Sequence, residues 1–238
     1  MRPGWQLTCH PAAYRCAYHL QINDPEQVSE FDNFIDNSVE GMVLFDIGAH
    51  FGLFSLATLH YGGPRSKVIA VDPSPVAVRF LKIQSRLNDM REGIEVVHAA
   101  VSDHCGSKPM VSVGVLSSGF YISPSKDHTG SELTSTRTTT LDQLVKEFEL
   151  SPTHIKIDVE GDEFAVISGG RQTLSQPNAP LLFVELHNEM IRQNGGAPQE
   201  TLALLKSLGY ETFATDGRAL DDGSILEKPL IRIVARKN

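Results

Sequence analysis

The sequence predicts a doubly wound α/β fold: a mostly parallel sheet with helices on both faces. Three observations carry that reading. Short apolar, β-branched runs alternate with segments of helical period. Three of those runs close on an acid, at Asp46, Asp72 and Asp158. The first is followed by a glycine turn, Gly48-Ala49-His50-Phe51-Gly52, that opens an apolar helix. In such a sheet the carboxyl ends of the strands share one edge, so the three acids converge on one crevice.

The elements follow in order. Residues 1–23 carry little pattern. A helix opens at Asp24-Pro25-Glu26-Gln27, where Asp24 can cap and Pro25 suits the first helical position. Val28, Phe31 and Ile35 then recur on one face. Residues 1–40 read as an N-terminal extension and helix, and 41–238 as the α/β domain. Val43-Leu44-Phe45-Asp46-Ile47 is the first strand, and Gly62-Gly63-Pro64 stops the helix that follows. Lys67 to Asp72 is the second strand; Pro73, Ser74 and Pro75 turn the chain into a helix reaching about Asn88. Ile94 to Val101 is the third strand.

Residues 104–140 break this rhythm. They are rich in Ser, Thr and Gly, with alternating runs at Met110, Val111 and Val113 and at Phe120, Tyr121 and Ile122, and read as an inserted hairpin or lid. Thr140 caps another helix with Leu141, Leu144, Val145 and Phe148 inward. His154 to Asp158 and Leu181 to Glu185 are the fourth and fifth strands. Pro198 to Leu208 is a helix stopped by Gly209. Tyr210 to Ala214 and Leu230 to Ala235 have no helix-sized span between them and read as a closing antiparallel hairpin.

Composition narrows the function. The 238 residues carry 21 basic and 29 acidic side chains, a net charge of -8. That argues against a nucleic-acid or anionic-membrane partner, whose affinity rests on basic patches. No apolar run approaches the roughly 18–20 residues that span a bilayer, and no signal pattern opens the chain. A soluble, cytoplasmic protein is expected. The three cysteines, Cys9, Cys16 and Cys105, lack metal-site spacing and read as free thiols.

Asp46 selects the cofactor. A dinucleotide places pyrophosphate over the glycine turn, and a carboxylate two residues before Gly48 would repel it. The turn also lacks the G-x-G-x-x-G spacing, which disfavours a nicotinamide oxidoreductase. S-adenosylmethionine (SAM) has no phosphate and carries an ammonium and a sulfonium, which suit an acid there. Gly48 and Gly52 permit close approach, and the backbone of His50 and Phe51 meets the cofactor. Asp72, beside Pro73 and Ser74, is placed for the ribose hydroxyls. Ala100, Val101 and Ser102 flank the adenine.

The acid-dense stretch Lys156-Ile157-Asp158-Val159-Glu160-Gly161-Asp162-Glu163 fails as a calcium loop, because Glu163 and Gly169 stand where Gly and Glu are needed. Asp158 and Glu160 read as site residues, and Asp162 and Glu163 as acids complementing a helix dipole. Glu185 and His187 point to one face of a strand-like segment. His187 is the candidate general base, with Asp158 or Glu160 orienting it or the acceptor. The other reading of Asp158, Glu185 and His187 is a divalent metal site that acidifies the acceptor.

Several motifs resemble the FkbM family of SAM-dependent methyltransferases. They are Asp46-Ile47-Gly48-Ala49-His50-Phe51-Gly52, Val71-Asp72-Pro73-Ser74, Leu87-Asn88, Ala99-Ala100-Val101-Ser102-Asp103, Thr140-Leu141-Asp142, Lys156-Ile157-Asp158-Val159-Glu160-Gly161 and Glu185-Leu186-His187. The resemblance covers roughly residues 25–235. It implies a class I methyltransferase sheet of seven strands and methyl transfer, usually to a hydroxyl oxygen. The acceptor would be a small molecule or a sugar- or lipid-type hydroxyl compound, with no nucleic acid partner. Family members often carry Asn at His50, Glu at Asp72 and Ala at Asp162. A non-catalytic SAM-binding or interaction module on the same fold is the competing reading.

Overall fold

The structure is a computed structural model and describes residues 5–19, 23–112, 120–121 and 133–237. Its strands are β1 (Val43–Ile47), β2 (Lys67–Asp72), β3 (Ile94–His98), β4 (Ala100–Val101), β5 (Gly106–Ser112), β6 (Phe120–Tyr121), β7 (Leu133–Thr139), β8 (His154–Ile157), β9 (Leu181–Leu186), β10 (Glu211–Ala214) and β11 (Ile231–Arg236). Seven form one sheet in the order β10-β11-β9-β8-β1-β2-β3. Within it only β11 is reversed, antiparallel to both β9 and β10. The strand order changes direction between β1 and β8, which opens a crevice at their carboxyl ends.

Strand alternation divides the core in two. Phe45, Ile47, Ile69, Val71, Ile155 and Val184 face one layer. That layer is closed by α4 (Leu141–Phe148), α5 (Glu163–Ser168), α6 (Arg171–Leu174) and α8 (Pro198–Ser207), with α7 (Asn188–Gln193) and α9 (Asp222–Glu227) at its end. Leu44, Val68, Ala70, Phe183 and Val234 face the other layer, closed by α1 (Pro25–Asp36), α2 (Leu53–Tyr61) and α3 (Pro75–Leu87). Phe34 of α1 meets Phe54 and Phe183 edge to face, at 5.0 and 5.2 Å. Capping sets the helix starts. Asp24 accepts from the N–H groups of Glu26 and Gln27, Ser74 from Ala77 and Thr140 from Gln143.

The N-terminal segment, which carries little pattern in the sequence, runs across α2 and α3. Trp5 stacks on Phe31 and His60, and Thr8 and His10 bond the side chains of Asn88 and Gln84. The buried Tyr18 hydroxyl donates to the Phe51 carbonyl at 2.6 Å. The segment therefore braces the glycine turn from outside.

Three expectations change in the structure. The third strand ends at His98. The Ala99 N–H still reaches the Asp72 carbonyl, but β2 stops there, and Ala100 and Val101 pair instead with Thr138 and Thr139 of β7. Residues 104–140 supply β5, β6 and β7, which join β4 in a second sheet of order β4-β7-β5-β6, whose longest pairing joins β5 to β7. The expected run at Phe120 and Tyr121 does pair with β5, while Val113 and Ile122 lie outside the described residues. Finally, a short helix, α9, caps the connection between β10 and β11, held by the Asp221 carboxylate on the Ser224 N–H.

Gly48 is required for β1 and β8 to close. Its φ is +79°, and a Cβ there would sit 1.8 Å from the Asp158 carbonyl oxygen. Gly48→Ala is expected to destabilise the fold by about 2–4 kcal/mol, through backbone strain and overpacking. Urea unfolding checks this; a loss below about 1 kcal/mol would mean the two strand ends can part without cost.

Candidate active site

A cavity of about 1150 Å³, open mouth included, lies over the carboxyl ends of β1, β2 and β8. Its wall includes Asp46, the turn Gly48 to Gly52, Asp72, Pro73, Ser74, Ala100, Val101, Lys156, Asp158 and Glu160. Thus most residues singled out in the sequence meet in one place. Ser102 does not reach the wall; its N–H is tied to the Thr139 carbonyl and its hydroxyl to Asp103. Met110 of β5 joins the wall instead, so the second sheet helps to enclose the cavity.

The two acids at the base are buried. Asp46 accepts the Ser55 hydroxyl at 2.5 Å. Burial pushes its pKa up to about 6, with that hydroxyl and Lys156 pulling the other way. Asp72 accepts the N–H groups of Ser74 and His50, both at 2.8 Å. Burial still raises it to about 7 against those two hydrogen bonds. Each carboxylate oxygen has lone-pair capacity left for a hydroxyl donor. Carboxylates held this way suit a ligand that brings positive charge and hydroxyls, so the donor set fits SAM.

His50 has φ +48°, a left-handed backbone that asparagine and glycine adopt more readily. Burial lowers the His50 pKa to about 4, so its ring is neutral and stacks on Phe51 at 4.0 Å. Gly52 has φ +81°, and a Cβ there would strike Leu81 of α3. Both glycines of the turn therefore serve protein packing directly.

The turn after β8 is strained at Glu160, with φ +54°, next to Gly161 at +106°. Asp162 pairs with Lys108 of β5 at 2.8 Å, which ties the second sheet to this turn. Glu163 is fully buried at the start of α5. One of its oxygens accepts from the Gly161 N–H at 3.0 Å and lies 2.8 Å from His187 Nδ1. By its sequence position Glu163 reads as an acid complementing a helix dipole. Its partner lies at the end of a different strand, and only an acid one helical turn past a strand end hinted at it.

His187 stands behind Asp158 rather than in the cavity wall. Its Nε2 is 3.9 Å from Asp158 Oδ1 and 3.8 Å from Glu185 Oε1. Burial opposes its charge, but the Glu163 hydrogen bond and the carboxylates of Asp158, Glu163 and Glu185 outweigh it and raise its pKa to about 9. Asp158 is held well above the usual carboxylate range by burial and by Glu185. Its side chain keeps 37% of its surface open, so water in the cleft screens part of that effect. Glu185 is itself neutralised by Arg232, whose Nη2 donates at 2.7 Å, with Lys156 at 3.8 Å. Asp158, Glu185 and His187 also offer ligand atoms within 4.8 Å of one another, close enough to share a metal ion.

This is the crevice of a class I SAM-dependent methyltransferase fold, and solved structures share it. The chain matches the O-methyltransferase from Bacillus cereus solved with SAH over 95% of its length and 86% of that chain, at 11% identity and TM-score 0.53. The SAM-dependent O-methyltransferase from Thermotoga maritima matches over 94% and 69%, at 13% identity and TM-score 0.52. The family model for the methyltransferase FkbM domain matches residues 46–212, and the chain belongs to that family. Methyltransferase FkbM from Methylobacillus flagellatus KT is similar over 83% of this chain, at 15% identity and TM-score 0.52. This chain spans 43% of that protein's length. No curated protein sequence matches the chain. Among the described residues no helix is long and apolar enough to cross a membrane.

Asp46, Asp72, Asp158 and His187 all hold protons to higher pH in the folded chain than when unfolded. Through these groups the native state binds more protons, and stability falls as pH rises; His50, held neutral by burial, works the other way only below its ordinary value of 6.5, where one imidazole is set against three carboxylates. For the carboxylates the loss starts near pH 4 and runs through about 6 and 7; for His187 it runs to about 9. The melting temperature of the free protein is expected to fall steadily from pH 5 to pH 9, and Asp72→Asn to flatten that slope. A melting temperature that rises over this range would contradict the assignment.

Proposed function

We propose that the protein is a SAM-dependent O-methyltransferase acting on a hydroxyl of a small molecule or of a sugar- or lipid-type acceptor. The observation that carries this is the pair of buried carboxylates, Asp46 and Asp72, at the base of the cleft over the strand ends in an FkbM-family fold. SAM supplies an electrophilic methyl group on a cationic sulfur. The chain's part is alignment and removal of the acceptor proton.

Asp72 takes the ribose hydroxyls and Asp46 faces the methionine end. Ala100 and Val101 flank the adenine, beside the wall residue Met110. Asp158 is the carboxylate of the reacting group that faces the cavity, and Glu160 flanks it. The acceptor hydroxyl gives its proton to the Asp158–His187 pair. In the free chain His187 is protonated at neutral pH, so it is not yet a base. A bound cation in the cleft would lower its pKa, which would leave Nε2 able to take the proton. Glu163 fixes the imidazole through Nδ1 throughout.

The metal-assisted reading is weaker on charge grounds. A dication at Asp158, Glu185 and His187 would sit beside Arg232 and Lys156, which already neutralise Glu185. A non-catalytic SAM-binding module remains the second reading. The closely held Glu163–His187 contact favours the enzyme, because binding SAM alone gives no role to an oriented imidazole behind Asp158.

Calorimetry is expected to give micromolar binding of SAM and S-adenosylhomocysteine, with Asp72→Ala weakening both by at least tenfold. His187→Ala is expected to keep SAM binding but to lower methyl transfer to hydroxylated acceptors by about 10²-fold or more. Turnover unaffected by a chelator is expected. SAM binding with His187→Ala fully tolerated would favour the non-catalytic module, and no SAM binding by the folded chain would reject the cofactor reading.

A further inference from the structure

A chain of hydrogen bonds runs from the N-terminal segment to the glycine turn. The His10 N–H donates to Gln84 Oε1 of α3 at 2.8 Å. Gln84 Nε2 donates to the Tyr18 hydroxyl oxygen at 3.2 Å, and that hydroxyl donates to the Phe51 carbonyl at 2.6 Å. The two ends fix the direction of the chain. A backbone N–H can only donate and a carbonyl can only accept, so each proton between them has one place. Gln84 and Tyr18 are both buried, so a broken link leaves a polar group with no water to replace its partner. Burial also raises the Tyr18 pKa, so the hydroxyl keeps the proton that it donates.

A row of rings runs beside that chain. His10 meets Phe80 of α3 edge to face at 5.2 Å, Phe80 lies 5.0 Å from Phe51, and Phe51 stacks on His50 at 4.0 Å. Both routes start at His10 and end in the turn.

This turn needs an outside hold. His50 and Gly52 both have left-handed backbones, at φ +48° and +81°, and for His50 that conformation costs energy. The His50 N–H also orients the Asp72 carboxylate, at 2.8 Å. Tyr18 holds the carbonyl of the very next residue from the opposite side. A displaced Phe51 would carry His50 off Asp72, and all three residues lie in the cavity wall. Among the described residues, none of the N-terminal segment lies in that wall, so the segment acts on the cavity through the turn.

We propose that the N-terminal segment is a strap whose docking is coupled to cofactor binding, with Tyr18 as the positioning residue that keeps the glycine turn in its binding shape. The coupling is reciprocal: docking tightens the cofactor by the same factor by which the cofactor tightens docking. The proposal rests on the SAM reading above and adds that affinity depends on residues outside the cavity.

The test uses the full chain and S-adenosylhomocysteine. Affinity is read by calorimetry, docking by hydrogen exchange of residues 5–19 with mass spectrometry, and folding by circular dichroism. Tyr18→Phe removes one hydroxyl and keeps the ring. It is expected to weaken S-adenosylhomocysteine by about 5- to 10-fold, the range of one buried hydrogen bond. In the wild-type protein, saturating ligand is expected to slow exchange of residues 5–19 by about the same factor, and Tyr18→Phe to lose most of that protection. A Tyr18 that only stabilises the fold would lower the melting temperature and leave both readings as they are.

The exchange reading on the wild-type protein needs no variant, so it decides the coupling even where Tyr18→Phe fails to fold. Unchanged affinity in folded Tyr18→Phe, or ligand that leaves exchange of residues 5–19 untouched in the wild-type protein, overturns the proposal. Wild-type protein that binds no S-adenosylhomocysteine overturns the cofactor reading, and the coupling with it.

Discussion

Four buried charges from four elements hold the site together. Glu30 of α1, Lys156 of β8, Glu185 of β9 and Arg232 of β11 meet on one face of the sheet, with contacts from 2.7 to 3.8 Å. Removing one member would leave an uncompensated buried charge, at a cost of about 3–5 kcal/mol. The set is neutral as a whole, which lets it exist beneath an apolar layer of Phe34, Phe54 and Phe183. It also fixes α1 over the sheet, with Glu30 on the Lys156 side chain that enters the cavity wall. The other charged groups of the cavity wall, Asp46, Asp72, Asp158, Glu160 and Asp162, lie outside this set.

Those remaining charges are mostly negative. Asp46, Asp72 and Asp158 are all held above the usual carboxylate range by burial, and His187 keeps its proton because three carboxylates surround it. The free site therefore carries protons where a cationic ligand would otherwise provide charge. A ligand bearing a sulfonium and an ammonium replaces them. This links the two halves of the proposed chemistry. In the proposed chemistry, the positive charge that the carboxylates would bind would also free the Asp158–His187 pair to accept a proton.

Much of this was legible in the sequence because it depends on local pattern. Strand ends at Asp46, Asp72 and Asp158 follow from apolar runs that stop at an acid, and parallel pairing brings them to one edge. The closing antiparallel strands follow from the lack of a crossover-length segment between them. What escaped depends on long-range contact. The third strand splits at Ala99 because its neighbour β2 ends at Asp72, which no local pattern at Ala100 encodes. Glu163 reads as a helix-start acid until β9 brings His187 to it, and Asp162 reads the same way until β5 brings Lys108. Lys156 looks like a strand lysine, and its partner Glu30 looks like a solvent-facing helix acid. Only the fold shows that they are one buried pair. The role of Gly48 was half legible: the turn requires it, but the atom it makes room for is the Asp158 carbonyl.

The most direct test of this account is proton exchange on ligand binding. It is measured by calorimetry at pH 7 in buffers of different ionisation enthalpy, with SAM and with S-adenosylhomocysteine. The two ligands differ by a methyl group and the positive charge on sulfur. The account predicts net proton release with SAM, and less with S-adenosylhomocysteine, because the cation lowers the pKa values of Asp158 and His187. Equal release for the two ligands, or proton uptake, would contradict a site whose raised pKa values await a sulfonium.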